Sequence, residues 1–589
     1  MTNRNYRKTK QKLLNRYYNP PPKGSYDIYP CFPIGPGKIE TGYMALAQKL
    51  IGHKRVMIDG YVGVFWESFR SNLNRILKKL GIRAFWINIQ EAFLPEDKLN
   101  GLIDPLFYEQ DPLFCRRFEG SLRDFFDQKR IDSLKPNAKS QMSIVYGCGA
   151  KLIGWDCILV YVDLPKNELQ FRSRAKSITN LGALKTVDAK QMYKRFYFID
   201  WVVLNQHKAK LLPDIDIIVD AQRPDEPNIM EGDELRKALH DMCQSYFRVR
   251  PWFEPGPWGG TWMKNKIPQL PQDTPNYAWS FELIAPENGL LFESDGHLLE
   301  VSFDMLMFQE YRNVLGDCAD RFLYDFPIRF DFLDTFNGGN LSIQCHPRQE
   351  YIRRHFGEKF TQDETYYILD CKPGAKVYLG FQDNINPEEF RLILENSIVD
   401  SVPVDIDRYV MSVPSSKHTL FLIPNGTVHG SGKNNLVLEI SATTYIFTFK
   451  MYDWLRPDLN GQPRMLNIKR AFDNLYFKRK GDMVHEELIS CPYVKNQGSD
   501  WRLIHLPTHL QHFYDIHRFD FKNYVESTTD GSFHIMMLVE GSSIILETAV
   551  GTRKRFNYAE TFVVPAAAGK YRLINESKGE VKVIKAFMK

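Results

Sequence analysis

The pattern of apolar residues changes near residue 245, and this change restricts the possible folds more than any other feature of the sequence. Before it, short apolar runs such as Val56–Ile58 and Cys157–Val162 alternate with helical patterns such as Glu67–Leu80. After it, Pro and Gly separate short runs rich in β-branched and aromatic residues, as in 376–380 and 435–440. The first pattern predicts βαβ units with a parallel sheet, and the second predicts a sandwich or jelly roll.

The length of 589 residues is too great for one hydrophobic core, so several domains are expected. Helical patterns interrupt the β-rich part at about 303–315 and 386–397. The fold class predicted is therefore multidomain, with an α/β parallel sheet first and mostly-β domains with inserted helices after it. The predicted divisions are an irregular lead-in at 1–50, an α/β domain at 51–244, a β-rich domain at 245–490 and a second β-rich domain at 491–589.

The composition excludes several classes of protein. A net charge of +5 is small for this length and indicates neither a nucleic-acid partner nor an anionic membrane surface. The nine cysteines form no CxxC pair, which favours a reduced protein over a disulfide scaffold. No apolar stretch approaches the ~20 residues that span a bilayer, and no signal peptide is present. We expect a cytoplasmic protein, and the sequence leaves its oligomeric state open.

The segment from Arg55 to Phe69 combines a short apolar strand, a turn with two glycines and the start of a helix. It resembles the first strand and phosphate loop of nucleoside and uridine kinases. A working loop wraps the phosphates with backbone N–H groups, reaches them with a Lys and holds Mg²⁺ with a Ser or Thr. The resemblance implies a P-loop-kinase-like sheet at 51–244.

Three substitutions work against phosphate binding in this loop. Phe65 replaces the final glycine, Trp66 replaces the Lys and Glu67 replaces the Ser or Thr. Losing the cation alone removes a charge-assisted contact worth roughly 1.5–3 kcal/mol. We therefore expect a degenerate, non-catalytic domain. A scaffold, a dimerisation domain and a nucleotide or sugar sensor all fit the sequence, whereas an active kinase does not.

Four side chains after residue 340 form a candidate metal-ligand set. Gln344 and His346 are two residues apart, so they share one face if this segment is a strand. Glu364 lies in a second strand pattern, and His429 follows a Pro-Asn-Gly turn. Two imidazoles, a carboxylate and an amide oxygen suit Zn²⁺. Spacing alone is weak evidence, because most such pairs are ordinary strand residues.

The order of the motifs strengthens the case. From about Trp252 to Lys589 the chain resembles type I mannose-6-phosphate isomerases of the cupin fold. The resemblance implies one Zn²⁺ ion per chain, held by Gln344, His346, Glu364 and His429, and a final cupin barrel that normally lacks metal. The segments that carry it are Trp252–Trp262, Leu341–Pro347, Asp363–Leu369, Ile423–Gly430, Leu438–Ile440 and Tyr452–Arg456.

Further roles follow from the same resemblance. Ser342 is expected to help hold a substrate phosphate, and Glu439 is the candidate acid/base. Gln362 occupies a substrate-binding position where the family usually has Lys, and Lys450 occupies the position of a catalytic Arg. Lys450 keeps a charge without the planar fork that grips oxyanions, and Gln362 keeps only a neutral amide. A neutral sugar, another phosphosugar and a weak enzyme therefore stay open.

The function predicted is a zinc-dependent aldose–ketose isomerase that interconverts mannose 6-phosphate and fructose 6-phosphate through a cis-enediol. The alternatives are a non-enzymatic carbohydrate sensor or binding protein and an isomerase for a different sugar, either phosphorylated or unphosphorylated. The expected partner is a small sugar or sugar phosphate.

A histidine-rich stretch near the end of the chain suggests a second metal site at first sight. Its spacings of 4, 3 and 5 fit neither zinc-finger nor metzincin geometry, and Pro507 lies inside it. We interpret it as a loop with surface histidines. Its members are His505, His509, His512 and His517.

Overall fold

The computed structural model of the protein describes residues 6–107 and 111–589, so residues 1–5 of the predicted lead-in and residues 108–110 lie outside it. The chain forms two structural units, each built from separate stretches of sequence, which agrees with the predicted multidomain organisation. Unit 1 comprises Met1–Asn19, Tyr29–Met242 and Pro286–Tyr311, and unit 2 comprises Pro20–Ile28, Cys243–Ala285 and Arg312–Lys589. A separate domain at 491–589 stays a prediction.

Unit 1 is organised around a seven-stranded sheet in which five neighbouring strands are parallel. The parallel sheet predicted for this region is therefore present, and the resemblance to nucleoside kinases stays a prediction. In spatial order the strands are Glu40–Thr41, Asn228–Glu231, Ile217–Asp220, Ile158–Asp163, Arg55–Gly60, Met142–Tyr146 and Ala84–Asn88. The first two pair in antiparallel fashion. A second, smaller sheet consists of Cys31–Pro33, Gly289–Ser294 and His297–Ser302.

The helices of unit 1 pack through one apolar face each. In the helix Trp66–Lys79, Phe69, Leu73 and Ile76 are buried at the spacing of an amphipathic helix. A π-helical turn at Phe196–Asp200 connects two of the helices. The helices are Gly42–Leu50, Trp66–Lys79, Glu96–Ile103, Gln128–Ser133, Lys166–Arg174, Ala189–Arg195, Trp201–Leu211, Gly232–Cys243 and Asp304–Leu315.

Residues 42–50 correct the sequence analysis. They were expected to be irregular, but they form a helix whose buried face is Tyr43, Leu46, Ala47 and Leu50. Those residues follow the i, i+3, i+4, i+7 pattern of an amphipathic helix. Only four positions carry the pattern, so the Pro- and Gly-rich sequence before it obscures the signal.

Unit 2 contains a β-sandwich, here called the first sandwich, that carries the predicted ligands. Its two sheets share one core, in which Tyr366 and Ile368 of one sheet cluster with Val377 and Leu379 of the other. The six-stranded sheet runs Leu420–Ile423, Glu364–Cys371, Asn435–Ala442, Ile328–Asp334, Trp279–Leu283 and Trp252–Glu254. The five-stranded sheet runs Val410–Pro414, Lys376–Phe381, His429–Ser431, Ile343–Cys345 and Phe449–Tyr452.

A second sandwich follows in the last hundred residues of the chain. Its two sheets meet where His534 and Tyr571 lie within hydrogen-bond distance, 2.8 Å from Nδ1 to the hydroxyl. The six-stranded sheet runs Tyr493–Gln497, Trp501–Leu506, Tyr514–Phe521, Val581–Met588, His534–Glu540 and Thr561–Val564. The four-stranded sheet runs Tyr524–Thr528, Lys570–Asn575, Ser543–Thr548 and Arg553–Asn557. The mostly-β character predicted for this half of the chain is confirmed.

The histidine-rich stretch corrects the sequence analysis a second time. His505 and His517 lie on adjacent paired strands rather than in a loop, and His512 is buried. Only the turn that joins the strands is irregular. The interpretation as a loop with surface histidines is wrong, because strand pairing brings together residues whose spacing in sequence carries no signal.

The helices of unit 2 are inserted between strands, and one of them lies at the predicted position 386–397. The helix at the other predicted position, Asp304–Leu315, begins in unit 1 and ends in unit 2. Pro387–Asp400 begins where the Asn386 side chain accepts hydrogen bonds from the N–H groups of Glu388 and Glu389, with Pro387 at the first helical position. The others are Trp262–Lys266, Ala319–Phe322, Gln349–Phe356, Ile468–Phe472 and Asp482–Glu487. Within residues 6–107 and 111–589, no helix has both the length and the apolar character needed to cross a membrane.

Candidate metal centre

The four predicted ligands come from both sheets of the first sandwich. Gln344 lies directly opposite His429 on a neighbouring antiparallel strand, and His346 follows the strand of Gln344 immediately. Glu364 begins a strand of the other sheet. All four side chains are buried. Strand pairing thus brings residues that are up to 85 positions apart in the sequence into one cluster inside the sandwich.

The nitrogen and oxygen atoms of this cluster face one another. His346 Nε2 lies 2.8 Å from Glu364 Oε1, and His429 Nε2 lies 3.4 Å from Glu364 Oε2. On the far side of each ring, Nδ1 lies 3.0 Å from a backbone carbonyl, Phe447 O for His346 and Thr427 O for His429. A carbonyl can only accept, so each Nδ1 carries the proton and each Nε2 presents a lone pair to the cluster.

These residues fit a metal ion. His346 Nε2 and Glu364 Oε2 are buried and make no hydrogen bond with any described residue, despite the short separation of the two side chains. Buried polar atoms without partners are costly, and a cation coordinated by both would remove that cost. Donor atoms of His346, Glu364 and His429 all lie within 4.8 Å of one another. Two imidazoles and a carboxylate suit a first-row divalent ion.

Gln344 reaches the cluster through its amide. Its Oε1 accepts a hydrogen bond from Ser342 Oγ at 2.9 Å, and its Nε2 lies 3.3 Å from His429 Nε2. Rotating the amide by 180° would exchange its oxygen and nitrogen and direct the oxygen towards the histidine, since the two orientations have nearly the same shape. Ser342 could then accept from the amide, because a hydroxyl both donates and accepts. The assignment of Gln344 as a ligand stays a prediction.

The charges of the cluster are set by burial and by the neighbouring rings. Burial by itself raises the pKa of Glu364, but the attraction of His346 and His429 outweighs it and holds the pKa well below the ordinary value. Burial lowers the pKa of His429, which favours the neutral ring. An ionised carboxylate beside a neutral imidazole is the protonation state that a metal ion requires of its ligands.

Two further carboxylates lie beside the cluster. Asp331 and Glu439 lie directly opposite each other on paired strands. Burial raises the pKa of Asp331 to about 7, with Glu364 adding to the effect, and burial together with Asp331 and Glu364 raises that of Glu439 well above the ordinary value. Arg329 donates to Glu439 Oε1 at 3.2 Å and to Ser441 Oγ at 2.6 Å.

The sequence analysis identified Glu439 but missed Arg329 and Asp331. Their strand alternates charged and aromatic residues, and all seven positions of Ile328–Asp334 are buried. Charged residues at every second position of an apolar strand indicate a polar patch on one of its faces. This alternation could have identified the polar patch from the sequence, but only with the knowledge that both faces of the strand are buried.

The predicted substrate-binding positions lie close to the ligands. Gln362 donates from Nε2 to Glu364 Oε1, so its amide is engaged within the cluster. Lys450 lies opposite Gln344 on the next strand and is partly exposed. Ser342 is buried against Gln344. The structure thus brings every predicted site residue to the same end of the first sandwich, while their roles stay predictions.

The degenerate loop of unit 1 is occupied by the protein's own side chains. The Arg172 guanidinium lies 4.4 Å from the centre of the Phe65 ring and donates to the Gly63 carbonyl at 2.8 Å. Glu67 accepts a hydrogen bond from the Tyr146 hydroxyl at 2.5 Å. The three contacts use the turn for internal packing, and the expected loss of phosphate binding stays a prediction.

Buried lysines and aspartates lie beyond the carboxyl end of the same sheet. Lys208 Nζ lies 3.1 Å from Asp163 Oδ1 and donates to Ser302 Oγ at 2.8 Å. Lys166 donates to Asp304. Both lysines are almost fully buried. In this part of unit 1 each buried cation therefore has a carboxylate partner.

Comparison with known proteins finds a family match in the first half of the chain and similarity to named enzymes over about 55% of its length. Residues 42–244 match a family described as "Domain of unknown function (DUF8485)". The probable mannose-6-phosphate isomerase GmuF of Bacillus subtilis is 23% identical over 326 residues, which are 55% of this chain and 95% of that protein. The mannose-6-phosphate isomerase ManA of the same organism is 26% identical over 256 residues, 41% of this chain and 76% of that protein.

A solved structure gives a weaker likeness. The crystal structure of a mannose 6-phosphate isomerase from Bacillus subtilis aligns with a TM-score of 0.47 at 20% identity, covering 58% of this chain and 99% of that one. A TM-score below 0.5 carries no argument about the fold. From the sequence comparisons, the chain is similar to mannose-6-phosphate isomerases over about 55% of its length.

Proposed function

We propose that the protein is a zinc-dependent aldose–ketose isomerase that interconverts mannose 6-phosphate and fructose 6-phosphate. The observation that carries the proposal is the buried cluster of His346, Glu364 and His429, in which His346 Nε2 and Glu364 Oε2 make no hydrogen bond with any described residue. The similarity of this half of the chain to proteins named mannose-6-phosphate isomerases supports the choice of reaction.

The proposed ligands are Gln344, His346, Glu364 and His429. A Zn²⁺ ion held there would polarise the carbonyl and hydroxyl oxygens at C1 and C2 of the sugar, where negative charge develops. The backbone carbonyls behind the two histidines hold the rings in the orientation that this requires. One carboxylate and three neutral ligands leave the site with a net positive charge.

Glu439 is proposed as the acid/base. Its carboxylate would take the proton from C2 to give a cis-enediol and return it to C1, while a proton moves from the C2 oxygen to the C1 oxygen. Burial and Asp331 raise the pKa of Glu439 well above the ordinary value, which makes its carboxylate a stronger base than an exposed one. Arg329 fixes its orientation by the hydrogen bond to Oε1.

Lys450 is proposed to stabilise the enediolate, and Ser342 and Gln362 to contact the substrate. A lysine supplies a positive charge at that point but lacks the planar fork that binds an oxyanion at two places, so we expect slower turnover than an arginine would allow. Each of these roles places a side chain at a stated position of the substrate, and each can be tested separately.

The experiment compares the wild type with Glu439→Gln. The amide keeps the size of the side chain but cannot carry the proton. We expect bound zinc to be unchanged and turnover of mannose 6-phosphate, followed by a coupled assay, to fall by a factor of about 100 or more. Zinc bound with no turnover of any hexose or hexose phosphate by the wild type would favour the carbohydrate sensor instead.

An isomerase for an unphosphorylated sugar is the second candidate. The observation that favours it is that the Gln362 amide donates to Glu364, at the position where a lysine would hold a phosphate. Comparing kcat/KM for mannose and mannose 6-phosphate separates the two candidates. In the Gln362→Lys variant the ratio should move towards the phosphorylated sugar.

A further inference from the structure

The second sandwich contains another group of metal-binding side chains, distant in sequence from the proposed zinc ligands. His505 and His517 lie directly opposite each other on the antiparallel strands Trp501–Leu506 and Tyr514–Phe521. Their ring centroids are 5.1 Å apart. Asp515 precedes His517 by two residues and therefore projects from the same face of its strand. Pairing thus places two imidazoles and a carboxylate on one face of the sheet.

The donor atoms converge as those of the first cluster do. His505 Nε2 lies 2.8 Å from Asp515 Oδ2, and one donor atom from each of the three residues lies within 4.8 Å of the others. His505 Nδ1 lies 2.7 Å from the Tyr493 hydroxyl. A hydroxyl on the far nitrogen helps to orient the ring, as the hydrogen-bond partners of metal-ligating histidines do.

His517 supplies the second observation. Its side chain is buried, with 4% of the residue exposed, and its Nδ1 makes no hydrogen bond with any described residue. Buried ring nitrogens normally have a partner, because leaving one unpaired costs free energy. A coordinated cation would satisfy this atom. His505 and Asp515 are partly exposed, so the group remains accessible from solution.

Two lysines limit how tightly a cation could bind. Lys495 Nζ lies 3.3 Å from His517 Nε2, but Lys495 is exposed and can move into solvent. Lys585 lies opposite His517 on the neighbouring strand, and its ammonium group lies over the rings of Phe519 and Phe587. The repulsion from Lys585 is fixed, so we expect weaker binding here than in the first sandwich.

We propose that His505, Asp515 and His517 form a second metal site, for a borderline divalent cation such as Zn²⁺, on one face of the six-stranded sheet of the second sandwich. Two imidazoles select such an ion over Mg²⁺ or Ca²⁺, which prefer all-oxygen sites. Three protein ligands leave a coordination position for water or an external ligand. The proposal does not depend on the function proposed above, since it rests on other residues.

The test is a zinc titration of the full-length protein after removal of bound metal with a chelator, followed by calorimetry and by metal analysis after dialysis. We expect the wild type to bind two zinc ions per chain with different affinities. His346→Ala removes the tighter one and retains the weaker. Asp515→Asn keeps the size of the side chain and a hydrogen bond to His505, and it should weaken only the second ion, by at least about tenfold.

Two further variants complete the design. His505→Ala should abolish the weaker ion, while His485→Ala, which removes an exposed histidine of unit 2, should leave both ions unchanged. A wild type that binds only the ion lost in His346→Ala would overturn the proposal. So would a second ion that survives both Asp515→Asn and His505→Ala. Failure of the first site would instead appear as a single ion sensitive to Asp515→Asn and insensitive to His346→Ala.

Discussion

Unit 1 and the first sandwich both bury charged side chains, but they balance the charge differently. In unit 1, Lys208 lies against Asp163 and Lys166 against Asp304. In the first sandwich, Glu364 faces two imidazoles that each present a lone pair, and no lysine or arginine of the described residues pairs with it in a salt bridge. A buried charge that has an oppositely charged partner is satisfied within the protein. Buried donor atoms that converge without partners instead indicate a site for a bound ion.

The degenerate loop adds to this comparison. Glycines at 60 and 63 keep the turn, and at Gly60 a Cβ would lie 2.4 Å from the carbonyl of Val162, so only glycine fits. The tight turn is thus required by packing against the neighbouring strand. Arg172 binds the Gly63 carbonyl and covers Phe65. The relation of this turn to a phosphate loop stays a prediction.

The largest effect should come from removing a donor in the first sandwich. His346→Ala takes away one imidazole, and we expect loss of the tightly bound zinc and a fall in isomerase turnover of about 1000-fold, equivalent to roughly 4 kcal/mol in the transition state. Metal analysis and the coupled assay measure both. The free energy of unfolding of the metal-free protein should also fall, by about 1–3 kcal/mol, because the buried ring and the hydrogen bond from its Nδ1 to the Phe447 carbonyl are lost. If the variant kept its zinc and its turnover, the cluster would not be the metal site, and the contrast with the paired charges of unit 1 would not hold.

Removing a cation in unit 1 should have the opposite signature. Lys208→Met leaves Asp163 buried without its partner, and we expect the free energy of unfolding to fall by about 3–5 kcal/mol while zinc binding stays unchanged. Urea denaturation of the full chain measures this. The double variant Lys208→Met with Asp163→Asn should recover part of the loss, since the uncompensated charge is gone. A single variant as stable as the wild type would mean that these charges are not coupled.

Asp220 differs from Asp163 and Asp304, the buried carboxylates of unit 1 that have a lysine partner, because its hydrogen bonds come from uncharged groups. Its carboxylate accepts hydrogen bonds from Gln222 and from the Glu300 N–H, and burial raises its pKa to about 7. The folded state then binds more protons than the unfolded state between about pH 4 and 7. Stability from this group is therefore present at low pH and is lost as pH rises through 7.

The variant Asp220→Asn tests this difference. It should be more stable than the wild type at pH 8 by about 2 kcal/mol, below the ~4 kcal/mol that the full pKa shift allows, and the difference should shrink towards pH 4. Urea denaturation at a series of pH values gives the slope. A difference that grows as the pH falls would have the wrong sign and would exclude this account.

How far the sequence predicts these features depends on which contacts are local. Short apolar runs located the strands around Val56 and Val437, and family-like motifs located His346 and His429. The positions of Asp331 and His517 follow from which strands pair and in which register, and the spacing of residues along one chain does not encode that. The sequence therefore indicated the first cluster and misread the second.

The smallest effect is expected from a variant that introduces phosphate-loop residues into the turn of unit 1. The substitutions Phe65→Gly, Trp66→Lys and Glu67→Ser introduce the residues that hold phosphates and Mg²⁺ in phosphate loops. We expect calorimetry to detect no ATP binding, with a dissociation constant no better than about 1 mM, equivalent to about 4 kcal/mol.

The reason lies in the surrounding contacts, which the substitutions leave in place. Arg172 still donates to the Gly63 carbonyl, and Asp59 still accepts from the backbone N–H groups of Gly149 and Lys151. Trp66 is itself buried, so its loss also removes packing. Micromolar ATP binding by the substituted loop would show that three side chains alone had closed the site, and that the buried charges of unit 1 are compatible with a ligand.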